Sequence, residues 1–221
     1  MSSNNATDIY SERYHAVHLR SKLARSIVWR VIADHLSIYI PHDGCVLEIG
    51  AGYCDWINSV RARIRIAVDI WKEFPRYAAS GVYPILHDLS CGLSLFGDNQ
   101  FDTVLASNVI EHFNADVGVM LVRECYRILH PNGRMIIVQP NFALSYKHYF
   151  DDYTHRAVFT HVSLSNMLKS QGFQIDDLKS RFTPYSLRDI SFPLHPLLIK
   201  AYLISPLKPF AGQMLVVARK P

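Results

Sequence analysis

The chain has few cysteines and no pattern that would put them to use. Cys45, Cys54, Cys91 and Cys125 form no C-x-x-C pair, which argues against a zinc ribbon or a thioredoxin-like redox motif, and each lies in a segment that reads as core or loop. Free thiols in a reducing compartment are the expectation. A strong excess of charge is also missing. Lys and Arg number 23 against 19 Asp and Glu, a formal +4, and the basic residues are scattered, so no nucleic-acid partner is expected. The first twenty residues contain neither an apolar core nor a small-residue cleavage pattern, so export is not indicated and a cytoplasmic location is expected. Long apolar runs are absent as well. The most apolar stretch, 192–209, is broken by His195, Lys200 and several prolines and falls short of the roughly 20 clean residues of a spanning helix. No repeat and no low-complexity tract is visible.

What is there suits a core: 49% of the 221 residues are apolar and 12% aromatic, enough to fold without covalent staples. A single domain over 1–221 is expected, with a helical lead over 1–40, a lid or acceptor loop over 141–160 and a Pro-rich insert over 184–209. From Lys22 to Ile40 apolar residues recur at helical spacing until Pro41. Short β-rich runs follow at 45–50, 65–70, 82–86, 101–107 and after Gly133, separated by a brief helix to Val60, a helix near 71–80 and an amphipathic helix over 116–129. Strands with continuous apolar character, such as FDTVLAS, are covered on both faces. The alternation predicts an α/β fold with a doubly wound, Rossmann-like sheet. A helix through Leu164, Met167 and Leu168, ended by Gly172, and strands at FQIDDLKSRF and QMLVVARK complete seven strands.

The chemistry gathers at strand ends. Glu48-Ile49-Gly50-Ala51-Gly52 sits where the first strand turns away, the place where an open α/β sheet binds its ligand. A dinucleotide fingerprint needs a third glycine at 55; the chain has Asp55, which repels a pyrophosphate at a helix start. An acidic collar instead favours a ligand carrying an ammonium and a sulfonium. Asp69 ends the second strand 17 positions after Gly52, near the offset at which a carboxylate meets ribose hydroxyls; capping the segment from Trp71 is the other reading. Asp88, in His87-Asp88-Leu89, follows the third strand as an acceptor for an amino group or as a turn residue. Asn108 ends the fourth strand, beside the others, or caps the helical segment after it.

EIGAG, AVD, HDL, FDTVLASNVIEHF and LHPNGRMIIVQP, in that order, resemble the successive motifs of class I S-adenosylmethionine-dependent methyltransferases of the small-molecule type. The resemblance covers about residues 45 to 140. It implies a seven-stranded, mostly parallel sheet with an antiparallel C-terminal strand, and S-adenosylmethionine as cofactor. It also implies a binding set of Glu48, Gly50, Ala51, Gly52, Asp69, Ile70, Asp88, Leu89 and Asn108: the glycines on the methionine part, Asp69 on the ribose, Asp88 on the adenine and Asn108 beside the sulfonium. Cys54 departs from the family, many members having glycine there. The segment from QPNFALSYKHYFDDYTHRAVFT onward, with RFTPYS and GQMLVVARKP, is similar to methyltransferases that accompany glycosyltransferases in polysaccharide or glycolipid assembly, and Glu111-His112 and 152–155 recur in that pattern.

A hydroxyl acceptor must lose a proton. His155, with Asp152 three residues before it, is the first candidate for general base and His112 the second; holding the loop by a backbone hydrogen bond is the other reading of His155. His148, Asp151, Asp152, His155 and His161 match no metal-ligand spacing, and no metal is expected. Tyr146, Tyr149, Phe150 and Tyr153 suit either stacking on a sugar or packing of the lid. The expected function is methyl transfer to a small-molecule acceptor, a hydroxyl of a glycan or glycolipid. Quinone-type C- or N-methylation and a non-catalytic, cofactor-binding scaffold are the alternatives, and nucleic-acid methylation is disfavoured because no Pro-Pro-aromatic follows Asn108. The insert over 184–209 reads as an apolar helix against the sheet or as a contact with a membrane surface or lipid-linked substrate.

Overall fold

The computed structural model describes residues 22–185 and 195–221. Phe192 and Leu194, apolar residues of the insert, lie outside them. The first strand, β1 (Cys45–Ile49), pairs in parallel with both β2 (Ile64–Asp69) and β4 (Phe101–Ser107). Beyond β2 lies β3 (Val82–Leu86), and beyond β4 lies β5 (Leu129–Pro140), each in parallel. Then β7 (Gln213–Arg219) runs antiparallel to β5 and to the edge strand β6 (Gln174–Lys179). The seven-stranded order β3-β2-β1-β4-β5-β7-β6 reverses direction of winding between β1 and β4, so the crevice at their carboxyl ends is the natural ligand position.

Period-two alternation divides the core into two layers. Leu47, Ile49, Val104, Ala106, Met135 and Ile137 pack on one face, against Leu121, Val122, Cys125 and Ile128 of α2 (Ala115–Ile128) and Leu164 and Leu168 of α4 (His161–Ser170). Val46, Leu105, Ile136 and Val138 pack on the other, against Val28, Val31, Ile32 and Leu36 of α1 (Lys22–Leu36). A reciprocal cap between Thr160 and Ser163 starts α4, and Gly172, at φ +97°, turns the chain into β6.

The two short helices expected after β1 and β2 are reduced to turns. Gly50, Gly52 and Cys54 take φ of 66°, 49° and 58°, so the chain keeps curling, and Trp56 and Ile57 are buried from a run of turns. After β2 only the 3₁₀ turn Phe74–Tyr77 forms before β3 begins. The leading helix ends at Leu36, with a 3₁₀ turn over Ser37–Tyr39, and Ile40 is extended before Pro41.

After β5 the chain makes a single turn, α3 (Phe142–Ser145), and a 3₁₀ turn, Tyr149–Asp151. In the insert, α5 (Pro196–Ile204) lies against α1. Leu203 is buried, whereas Leu197, Leu198 and Ile204 face outward, followed by exposed Leu207 and Phe210. No helix among the described residues is long and apolar enough to cross a membrane.

Candidate active site

The turn after β1 is held by its neighbour. The amides of Gly50 and Ala51 donate to the Val68 carbonyl at 2.8 and 3.1 Å, folding the loop over the end of β2. A Cβ on Gly50 would meet Val109 Cγ2 at 2.4 Å, whereas nothing stands within 4 Å of one on Gly52. The first glycine is therefore required by contact with the β4 turn and by its positive φ, and the second leaves backbone open to a ligand.

Acidic groups surround this opening. Asp69, at the end of β2 and buried, accepts the Gly52 amide at 2.7 Å on Oδ2 and the Trp71 amide at 2.8 Å on Oδ1. The carboxylate therefore serves the turn at Trp71 and also anchors the glycine loop. Glu48 Oε2 accepts the Ile57 amide at 3.1 Å. Burial pushes the Glu48 carboxyl well above its ordinary range, and Asp55 and Asp69 add to the effect. Asp55 is raised by burial against the opposing pull of Arg25, its ion-pair partner. Such a collar gains from a cation and resists a pyrophosphate, so the residues present fit a ligand with an ammonium and a sulfonium.

The remaining sequence-expected groups stand at neighbouring strand ends. Ile70 is half-buried directly after β2, and Leu89 is buried after β3. Asp88 Oδ1 accepts the Ser90 amide at 2.9 Å, capping the 3₁₀ turn Leu89–Cys91. Asn108 sits at φ +52° after β4, its amide donating to Val138 O at 2.9 Å and its Oδ1 accepting from Gln213 Nε2 at 3.1 Å. Gln213, on β7, had no signal in the sequence.

A second cluster follows Asn108 directly. The backbone carbonyl of Glu111 accepts the amides of Arg156 and Ala157 at 2.8 and 3.1 Å, bringing the segment after α3 onto the 3₁₀ turn Ile110–His112. The rings of His112 and His155 come to 4.9 Å between centroids. Asp152 is engaged by Thr154. Its Oδ1 accepts from Thr154 N and Oγ1 at 3.0 and 2.6 Å, and Thr154 Oγ1 lies 2.9 Å from His112 Nδ1. The carboxylate thus reaches His112 through Thr154, while His155 Nδ1 lies 2.6 Å from the Tyr149 carbonyl oxygen.

These contacts set both tautomers. A carbonyl only accepts, so His155 carries its proton on Nδ1; the Thr154 hydroxyl donates to Asp152, so His112 Nδ1 is the donor toward Thr154. In the neutral rings Nε2 is then the basic nitrogen of each. Glu111 is fully buried, and neither of its carboxylate oxygens has a hydrogen-bond partner. Burial pushes its pKa up to about 8, opposed first by the nearby amide of Glu111 and less by that of Val109, while Asp152 adds to the rise. One ligand atom each from Glu111, His112 and His155 lie within 4.8 Å of one another. The other groups weighed as ligands stay apart: His148 pairs with Asp151 at the surface, and His161 lies beside Asn141. Tyr149 is buried with its hydroxyl on the Ala157 carbonyl, whereas Tyr146, Phe150 and Tyr153 are exposed. The sequence offered Glu111 only as a neighbour of His112; its isolation becomes visible once the chain is folded.

Residues 47–137, from β1 into β5, match the family model described as a methyltransferase domain. The fold is similar to that of an S-adenosylmethionine-dependent methyltransferase from Archaeoglobus fulgidus, at 20% identity and TM-score 0.66 over 94% of this chain and 98% of that one. One from Mesorhizobium loti gives 15% identity and TM-score 0.61 over 86% and 98%. A methyltransferase in complex with the Haloferax volcanii Trm112 methyltransferase activator gives 14% identity and TM-score 0.69 over 94% and 96%. No curated protein matches the sequence. Residues 47–137 thus match a methyltransferase domain, on a fold shared with S-adenosylmethionine-dependent methyltransferases.

Proposed function

We propose that the enzyme methylates a hydroxyl of a small-molecule acceptor, a sugar of a glycan or glycolipid. The observation that carries this reading is the Glu111, His112 and His155 cluster, one turn from the glycine loop through the Val109 contact on Gly50. Transfer from a sulfonium is an in-line displacement, so the protein chiefly aligns two reactants and excludes water. A neutral amine attacks through the lone pair it already carries, whereas a neutral hydroxyl needs a proton acceptor, and paired imidazoles with fixed tautomers provide one near neutral pH.

In this reading Gly50, Ala51 and Gly52 receive the amino-acid end of the cofactor with Glu48 beneath, Asp69 and Ile70 the ribose, and Asp88 and Leu89 the adenine. Asn108 stands beside the sulfonium. When bound, S-adenosylmethionine supplies the electrophilic methyl group. His155 takes the acceptor proton, and Asp152 orients His112 through Thr154. The segment 141–160 covers the acceptor, with Tyr146, Phe150 and Tyr153 exposed for a sugar face to stack on. The apolar outer face of α5 supports a lipid-linked acceptor met at a cytoplasmic membrane surface.

The test is incubation with isotopically labelled cofactor and a panel of free sugars, lipid-linked sugars, quinols and amines, with products read by mass spectrometry. Ether formation on a sugar hydroxyl is the expected result. Exclusive methylation of carbon or nitrogen would overturn the hydroxyl assignment, and cofactor binding without turnover on any class would favour a scaffold.

A further inference from the structure

The cluster beyond β4 has a feature that proton transfer alone does not require. A carboxylate with both oxygens buried and without a hydrogen-bond partner, as in Glu111, is disfavoured unless it is neutralised or meets a cation. The groups brought to it are two imidazoles whose Nδ1 protons are committed, one to a backbone carbonyl and one to a threonine backed by a carboxylate. That is the outer-shell arrangement that fixes the tautomer and ring orientation of metal-binding histidines. His112 and His155 are also held by different segments, locked together by the amides of Arg156 and Ala157 on the Glu111 carbonyl, so the three donors converge without needing a local sequence motif.

We propose that Glu111, His112 and His155 bind one divalent transition-metal ion of the zinc type. Two imidazoles and one carboxylate make a three-ligand set that leaves a coordination position open, as in metal sites that activate oxygen ligands rather than merely brace a fold. The donor atoms span 4.8 Å and need draw together only to about 3.5 Å for bonds of roughly 2.0 to 2.2 Å, a movement within reach of side-chain rotation. The inference rests on the hydroxyl reading for its catalytic use and not for its existence. With the ion bound, the acceptor oxygen takes the open position, the ion lowers its pKa and its proton leaves to solvent, so His155 then serves as a ligand in place of the proton acceptor it is in the metal-free site. A bond then forms between that oxygen and the methyl carbon as the carbon–sulfur bond breaks, its electron pair remaining on sulfur.

The whole chain, freed of metal by a chelator that is then removed, is titrated with zinc chloride by calorimetry and with cobalt(II) by visible absorption, without cofactor or acceptor. One equivalent is expected, with a cobalt spectrum of nitrogen and oxygen ligands and no thiolate charge-transfer band. Glu111→Gln and His155→Ala, each checked for folding by circular dichroism, should weaken binding at least about tenfold, and the surface variant His148→Ala should leave it unchanged. Absence of a stoichiometric site, a thiolate band, or affinity unaltered in both cluster variants would overturn the metal proposal. None of those results touches the hydroxyl reading, which is tested separately by where, and whether, the labelled methyl appears.

Discussion

The Asp69 carboxylate accepts the amide of Gly52 at 2.7 Å, so the residue proposed to meet the cofactor also fixes the glycine loop. Its other oxygen holds Trp71. Removing the side chain therefore does two things at once. Asp69→Ala should lose roughly 2 kcal/mol or more of stability, as two amides lose a charged acceptor, together with most cofactor affinity. Asp69→Asn keeps a carbonyl oxygen to accept one amide and should recover much of the melting temperature. Calorimetry with S-adenosylmethionine then separates the roles: affinity that recovers in parallel with stability would leave Asp69 as a brace for the loop, with no part in ribose binding.

Glu48 provides a pH signature. Burial raises its folded pKa well above 4.5, so the folded chain binds more protons there than the unfolded one, and the contribution of Glu48 to stability is full below 4.5 and declines as pH rises toward the folded value. A cationic cofactor beside it reverses the preference and drives the proton off. Binding should therefore release protons in the weakly acidic to neutral range and strengthen as pH rises. Calorimetry in buffers of different ionisation enthalpy checks the sign, and Glu48→Gln should remove most of the release. Proton uptake on binding would show that the amino group is held elsewhere.

Seven strands and their positions were legible because buried parallel strands leave continuous apolar runs, as at Phe101–Ser107, and because Gly and Pro punctuate them. The short helices near 54–60 and 71–80 were not. Their apolar residues, Trp56, Ile57 and Phe74, are buried from turns, and spacing alone does not separate a turn anchored by an ion pair such as Arg25 with Asp55 from a helix. The same limit applied to the site. The candidate residues on the glycine side follow chain order along the strand ends, whereas the link of Asp152 to His112 through Thr154 depends on a later segment docked by two amides on the Glu111 carbonyl. A three-residue spacing had pointed to His155 instead.

That docking separates two histidines by experiment. His155→Ala should lower turnover by about two to four powers of ten, with cofactor affinity nearly unchanged. Thr154→Val cuts the link between Asp152 and His112 while leaving His155 on the Tyr149 carbonyl, so it should give a smaller loss, matched by Asp152→Asn. Steady-state kinetics on the identified acceptor distinguishes the cases. If Thr154→Val proved as damaging as His155→Ala, the principal proton acceptor would be His112.

The outer face of α5 yields the last prediction, because the structure divides its apolar residues between two surroundings. Leu203 is 3% exposed and packs with Ile199 and Tyr202 in the layer beneath, whereas Leu198 is 46% and Ile204 69% exposed. A helix that only packs on the core has no use for the second group, and a helix that only rests on lipid has no use for the first. Leu198→Asp and Ile204→Asp should change stability by no more than about 0.5 kcal/mol, the usual range for exposed positions, while Leu203→Asp should unfold the chain by burying an unpaired charge. Flotation with vesicles containing anionic lipid should carry the wild type upward, drawn by the apolar face and by Lys200 beside it, and the two outward variants should remain at the bottom of the gradient. A wild type that stays at the bottom, with the outward variants equally stable, would remove the membrane from the account and leave a water-soluble acceptor for the same chemistry.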